Sequence, residues 1–172
     1  GVGMIATSLS LPKPDGGTEF SSPRGFQVAL GIDLFSTSWR AEGTVRSYSA
    51  ARGLASSASL HEFDLKLCYL YRLVGTPFFL RGGGGIASRY LDFRWEEQRD
   101  IPSTTKGGLP QKITVLKEQS YSTPASIVFL ALESFFGEYI SVSSELSFRS
   151  AFIEDTIDKQ ALDLAMRFDV HF

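Results

Sequence analysis

The chain has 172 residues, of which 43% are apolar and 21% charged, with a formal net charge of −2. That length suits one domain with a sizeable core, and the near-neutral balance gives no electrostatic reason to expect nucleic acid or another polyanion as partner. No run of 18 apolar residues occurs, so a transmembrane helix is excluded while membrane strands are not; the single cysteine, Cys68, excludes an internal disulfide and reads as a small strand filler.

Alternation of apolar and polar residues predicts eight strands, near 2–10, 25–35, 39–49, 59–72, 77–94, 122–134, 139–152 and 159–172, and no helix. The opening "GVGMIATSLS" lacks a charged region followed by an apolar one, so it reads as a strand and not as a signal peptide. The second strand carries Phe26, Val28, Leu30, Ile32 and Leu34 on one parity; the fourth carries Phe63, Leu65, Leu67, Tyr69 and Tyr71, with Glu62, Asp64 and Lys66 opposite. In the fifth, Phe78, Leu80, Ile86 and Tyr90 alternate against Arg81 and Arg89, and "GGGG" fills 82–85 between them. The sixth, "SIVFLALE", is apolar on both faces; placing Val128, Leu130 and Leu132 outward turns Glu133 inward. The seventh sets Ile140, Val142, Leu146, Phe148 and Phe152 against Glu145 and Arg149, and the eighth sets Leu162, Leu164, Met166, Phe168, Val170 and Phe172 against Asp163, Arg167, Asp169 and His171.

The breaks alternate between short ones, near 35–38, 73–76 and 135–138, and long ones, near 11–24, 50–58, 95–121 and 153–158. An up-and-down meander then gathers the turns at one end and the loops at the other. Proline cannot donate to a sheet ladder; Pro12, Pro14, Pro23, Pro102 and Pro110 fall in the long breaks, and Pro77 and Pro124 fall at strand starts.

The two parities differ in kind. One bears Asp33, Arg40, Glu42, Arg46, Glu62, Asp64, Lys66, Arg72, Arg81, Arg89, Glu133, Glu145, Arg149, Asp163, Arg167 and Asp169, interleaved with small residues such as Gly31, Ala87, Ser141 and Ala165. Acids and bases are nearly balanced, and arginine, the better partner for forked carboxylate pairs, outweighs lysine. That composition suits a narrow lumen in which Glu62, Asp64, Lys66, Arg81, Arg89, Glu133, Glu145, Arg149, Asp163, Arg167 and Asp169 form a charge network. The other parity is apolar, with aromatics toward both strand ends: Phe26, Tyr90 and Phe152 at one, Trp39, Tyr71, Phe78, Tyr139 and Phe172 at the other. Two such girdles around an apolar band predict a single all-β domain over 1–172, an eight-stranded antiparallel up-and-down transmembrane β-barrel whose surroundings are membrane lipid.

The last strand, ending in Phe172 after Phe168 and Val170, resembles the C-terminal signal of Gram-negative outer-membrane β-barrels, and "TPFFLRGGGGIASRYLDF" resembles the glycine-rich strand of small OmpA/OmpX-like barrels. The resemblance implies the bacterial outer membrane as location, and Phe168, Val170 and Phe172 as the signal that the barrel-assembly machinery reads.

Chemistry-bearing groups are few. Ser59 and His61 share the outward parity near the outer-leaflet interface, with Glu62 adjacent in sequence. They resemble the serine, histidine and acid of outer-membrane lipid A deacylases, although that family's motif is His-x-Ser and this segment reads Ser-Leu-His. His171 is expected in the polar network at the periplasmic mouth, and neither a metal site nor a cofactor is predicted. "GGGG" lacks the Lys-Ser/Thr of a phosphate loop, and reads instead as room for strong strand coiling, for Arg81 and Arg89, or for an aromatic of the next strand. The longest break, with its β-prone "KITVL", is expected to extend its hairpin beyond the membrane. The function predicted is a barrel scaffold displaying extracellular loops for interaction or envelope stability; the alternatives are a lipid-modifying hydrolase and a narrow conduit for small hydrophobic molecules.

Overall fold

In the computed structural model, residues 1–7, 10–11, 20–21, 24–34, 38–51, 56–101, 111–153 and 160–172 are described. They form β1 (Val2–Thr7), β2 (Ser10–Leu11), β3 (Phe20–Ser21), β4 (Arg24–Leu34), β5 (Trp39–Ala51), β6 (Ser56–Arg72), β7 (Phe78–Ile101), β8 (Gln111–Phe135), β9 (Ile140–Ala151) and β10 (Gln160–Val170). No helix occurs among them. The short β2 and β3 pair with each other, and the other eight strands close a barrel in sequence order. Closure runs through β1, where Val2 is paired both with Phe168 of β10 and with Val28 of β4. All ladders are antiparallel, so no strand has to cross over another.

The eight predicted strands are thus found, and the short breaks at 73–76 and 135–138 lie at one end, while 35–37 of the third lie outside the described residues. Two of the turns are tight because a glycine supplies a left-handed residue: Gly75 and Gly137 both have φ of +79°. In the first, Leu73 N–H donates to Phe78 O at 3.0 Å; in the second, Phe136 N–H donates to Ile140 O at 2.8 Å. Pro12, Pro14, Pro23, Pro102 and Pro110 lie outside the described residues.

One boundary departs from expectation. The strand bounds near 94 and 122 fall short, although the hairpin extension expected of "KITVL" is found: β7 and β8 stay paired from Phe78 and Ser134 out to Ile101 and Gln111. Among the described residues β6 pairs with β7 as far as Trp95 and β9 with β8 as far as Ala125, and from Trp95 to Ile101 β7 and β8 pair with each other as a ribbon of about 20 Å beyond the ring. Polar residues on both faces of the ribbon hide its pairing from a search for one buried face. Pro124 accordingly lies inside β8 and not at its start. Its carbonyl accepts from Phe152 N–H at 3.0 Å on the β9 side. The N–H that proline lacks would face the same side, where β9 leaves the sheet, so no ladder bond is forfeited in the strand's interior.

Glycine supplies the close approach that coils β7 against β6. A Cβ on Gly83 would run into the carbonyl oxygen of Leu67, and one on Gly85 into that of Leu65. The space left inside is taken by Phe129 of β8, the cross-strand neighbour of Gly83, as the aromatic alternative anticipated.

Candidate functional site

The pleat sends alternate side chains to opposite faces, and closure makes one face an interior. Among the described residues, seven basic and seven acidic side chains are buried there: Arg40, Arg46, Lys66, Arg81, Arg89, Arg149 and Arg167 with Glu42, Glu62, Asp64, Glu133, Glu145, Asp163 and Asp169. Removing the partner of a buried ion costs several kcal/mol, so the positions of the partners decide whether such an interior can exist.

Two clusters stack along the lumen. In the one nearer the loop end, Glu62 accepts from Arg89 Nε at 2.8 Å and Arg46 Nη1 at 3.2 Å, and pairs with Arg149 Nε at 2.8 Å. Arg46 and Arg149 also reach Asp64, at 2.7 and 3.6 Å, and Arg149 pairs with Asp163 of β10. Arg46 Nε donates to Gln27 of β4 at 3.0 Å. In the cluster nearer the turns, Glu42 takes Lys66 at 2.7 Å, Arg167 at 2.8 Å and Arg81 at 3.0 Å. Glu145 of β9 joins the tiers, pairing with Arg46 at 2.7 Å, with Lys66 at 3.1 Å and with Arg81 at 3.5 Å. Lys66 also sits 4.6 Å from the centre of the Phe129 ring, within cation–π range.

Each end of the lumen is finished differently. Toward the loops, Ile5, Tyr48, Leu60, Leu91, Phe93 and Trp95 form a buried apolar cap above the Glu62 cluster. The cap was not anticipated, because its members share the parity of the charges and Trp95 falls just beyond the predicted end of its strand. Toward the turns, a pocket of about 380 Å³ opens between Asp33, Arg40, Glu42, Arg167 and Asp169. Asp33 and Arg72, assigned to the polar parity, stand exposed near this rim, with Asp33 accepting from Arg40 Nε at 2.8 Å. Glu133 is fully buried beside the mouth; Ser141 Oγ donates to it at 2.6 Å and lies 2.8 Å from Nε2 of His171. Cys68 is buried in the wall and donates to the Arg40 carbonyl at 3.4 Å.

The outer face is the reverse of the interior. Met4, Leu30 and Ile32 are each more than 70% exposed, and Val45, Phe63, Leu65, Val128, Leu146, Leu164 and Phe168 continue the apolar band around the ring. Aromatic side chains border it at the turn end, where Trp39 and Tyr69 meet edge to face at 5.2 Å. Phe168, Val170 and Phe172 are all exposed.

Ser59 and His61 also lie on this outer face, but the acid adjacent in sequence does not join them. Glu62 points into the lumen, because neighbouring residues of a strand face opposite ways. Nδ1 of His61 is 3.2 Å from Ser47 Oγ, its cross-strand neighbour on β5. Asp92, the outward acid paired with Ser59 on β7, is hydrogen-bonded instead by Ser120. A serine, histidine and carboxylate are therefore not assembled at Glu62, Ser59 and His61.

No protein-family model and no curated protein matches the sequence. Solved structures do match in fold. The attachment invasion locus protein Ail of Yersinia pestis superposes with a TM-score of 0.61 at 13% identity, covering 99% of this chain and 95% of that one. The same protein in complex with the heparin analogue sucrose octasulfate gives 0.60 at 11% identity, over 99% and 95% of the two chains. Neisserial surface protein A gives 0.65 at 12% identity, over 99% and 96%. The chain thus has the eight-stranded antiparallel barrel fold of these Gram-negative outer-membrane proteins.

Proposed function

We propose that this barrel crosses the bacterial outer membrane as a scaffold, its lumen filled by the ion-paired network, and that it presents the β7–β8 ribbon for contact outside the membrane. The observation that carries this reading is the inverted distribution of side chains: fourteen charged residues buried inside, and a continuous band of large apolar residues exposed outside. A water-soluble barrel would leave that band facing water, far beyond the few hundred Å² of contiguous apolar surface usual for a soluble monomer. In a bilayer the same band meets hydrocarbon, and closure gives every strand of the ring a paired neighbour on both sides. The shared fold with outer-membrane barrels supports this placement.

A ring carrying a ribbon whose two edges have no strand partner among the described residues is suited to display. The outward row Phe168, Val170 and Phe172 on the last strand is what we assign to recognition by the barrel-assembly machinery. The hydrolase alternative loses its acid to the lumen, and the conduit alternative meets the apolar cap and the packed arginines.

The experiment is heat-modifiability. The chain refolded into detergent micelles is run on a gel with and without boiling, beside a sample never given detergent. The expected result is a mobility shift that requires detergent. A monodisperse β protein in plain buffer would reject the membrane reading.

A further inference from the structure

On the outer face the band of large side chains is interrupted at Ala6 of the short strand β1. Its outward residue Ala6 is paired with Leu164 of β10 on one side and with Arg24 of β4 on the other. One step further along, Met4 stands between Met166 and Phe26. The small side chain of Ala6 thus leaves a groove of about 510 Å³ walled by Met4, Leu164 and Met166, with Arg24 at its loop end. Arg24 is exposed, and among the described residues it has no acidic partner. Its cross-strand neighbour on β5 is Ser49, also exposed, and beyond Ser49 stands Ser59 of β6. The first outward acid along this row is Asp92, on β7, already engaged by Ser120. Arg24 lies two residues beyond the girdle residue Phe26, where the apolar band gives way to headgroups.

We propose that this groove is a binding site for one lipid with an anionic phosphate headgroup, its acyl chain lying over Ala6 against Met4 and Met166, its phosphate held by Arg24 and Ser49. A guanidinium matches phosphate oxygens through its fork of N–H donors, and a hydroxyl adds one more donor beside it. An exposed guanidinium at the membrane surface attracts an anionic headgroup, while the groove below it gives an acyl chain more apolar contact than the convex band elsewhere offers. The site rests on the membrane reading above.

The test is native mass spectrometry of the refolded chain in neutral detergent containing equimolar phosphatidylglycerol and phosphatidylcholine with identical acyl chains. The chain should retain phosphatidylglycerol about fivefold more than phosphatidylcholine. Arg24→Gln should abolish that preference and Arg24→Glu should reverse it; Ala6→Trp, which fills the groove without changing charge, should reduce retention of both lipids. Equal retention by the unaltered chain, or a preference that survives Arg24→Gln, overturns the proposal. Displacement of the lipid by millimolar inorganic phosphate overturns it too, since the site would then be one for a free anion. Heat-modifiability is recorded for every sample. A shift with no lipid preference removes only this site, whereas the absence of a shift in the unaltered chain removes the membrane reading and the site with it.

Discussion

Glu145 of β9 and Arg46 of β5 meet across the lumen at 2.7 Å, although they are 99 residues apart in the chain. Neither is a neighbour of the other in the sheet; they touch only because the ring is closed and narrow. Lys66 and Arg81 share the same carboxylate, so Glu145 ties the two charge clusters into one network. Glu145→Ala should cost about 3–5 kcal/mol, because it strands buried cations without a partner. Glu145→Leu combined with Lys66→Met should recover part of that loss. Urea unfolding of the chain in lipid vesicles measures both, and a loss below about 1 kcal/mol for Glu145→Ala would mean that water reaches the network.

The glycine run should respond unequally to substitution. Gly83→Ala places a methyl group on the Leu67 carbonyl of β6, backbone that cannot move aside, and overpacking of this kind costs about 1–3 kcal/mol. At Gly82 the added Cβ meets the end of the Leu130 side chain at 3.4 Å and the Phe129 carbonyl oxygen at 3.7 Å, ordinary contacts both, so Gly82→Ala should be neutral or slightly stabilising. Equal midpoints for the two variants would reject the close approach of β6 and β7 as the reason for glycine here.

The ribbon should loosen in acid. Hydrogen bonding from Lys117, and then from Arg99, holds the exposed Glu97 carboxyl below its usual value of 4.5. A lowered folded-state value means that the contribution is complete above about pH 4.5 and disappears as pH falls through that lowered value. Amide exchange at residues 96–99 and 114–117, corrected for its intrinsic pH dependence, should therefore be steady from pH 8 to about 5 and faster below about 4. Glu97→Gln should remove the pH dependence; if the acid-side loosening persists in that variant, another group is responsible.

Ser59→Ala and His61→Ala should leave the acylation of lipid A in a host membrane unchanged, since Glu62 is committed to three arginines on the other side of the wall. A change in acylation with either variant would restore the hydrolase. Planar-bilayer recordings should likewise give no steps above baseline, because Leu60, Phe93 and Trp95 cap a lumen already filled by arginine. Reproducible openings would show that the cap moves.

The number of strands, their order and the two unlike faces of each were readable from residues alone, because period-two alternation is a local property that survives without any partner. Alternation placed Val128, Leu130 and Leu132 outward even in the apolar β8, since Glu133 broke the tie. What each carboxylate pairs with was not readable. Glu62 takes one arginine from each of β5, β7 and β9, a choice made by barrel closure and stagger and not by spacing along any strand. The length of the β7–β8 ribbon was hidden because its exposed pairing leaves no buried stripe, and Pro124 pointed to the wrong strand start because its missing donor falls where β9 has already left the sheet. The cap of Tyr48, Leu60 and Phe93 was hidden for a related reason: apolar side chains on the charged parity acquire a meaning only when eight strand ends converge over one lumen. Sequence by itself determined which faces exist and which of them turns inward, and tertiary closure decided which side chains meet there.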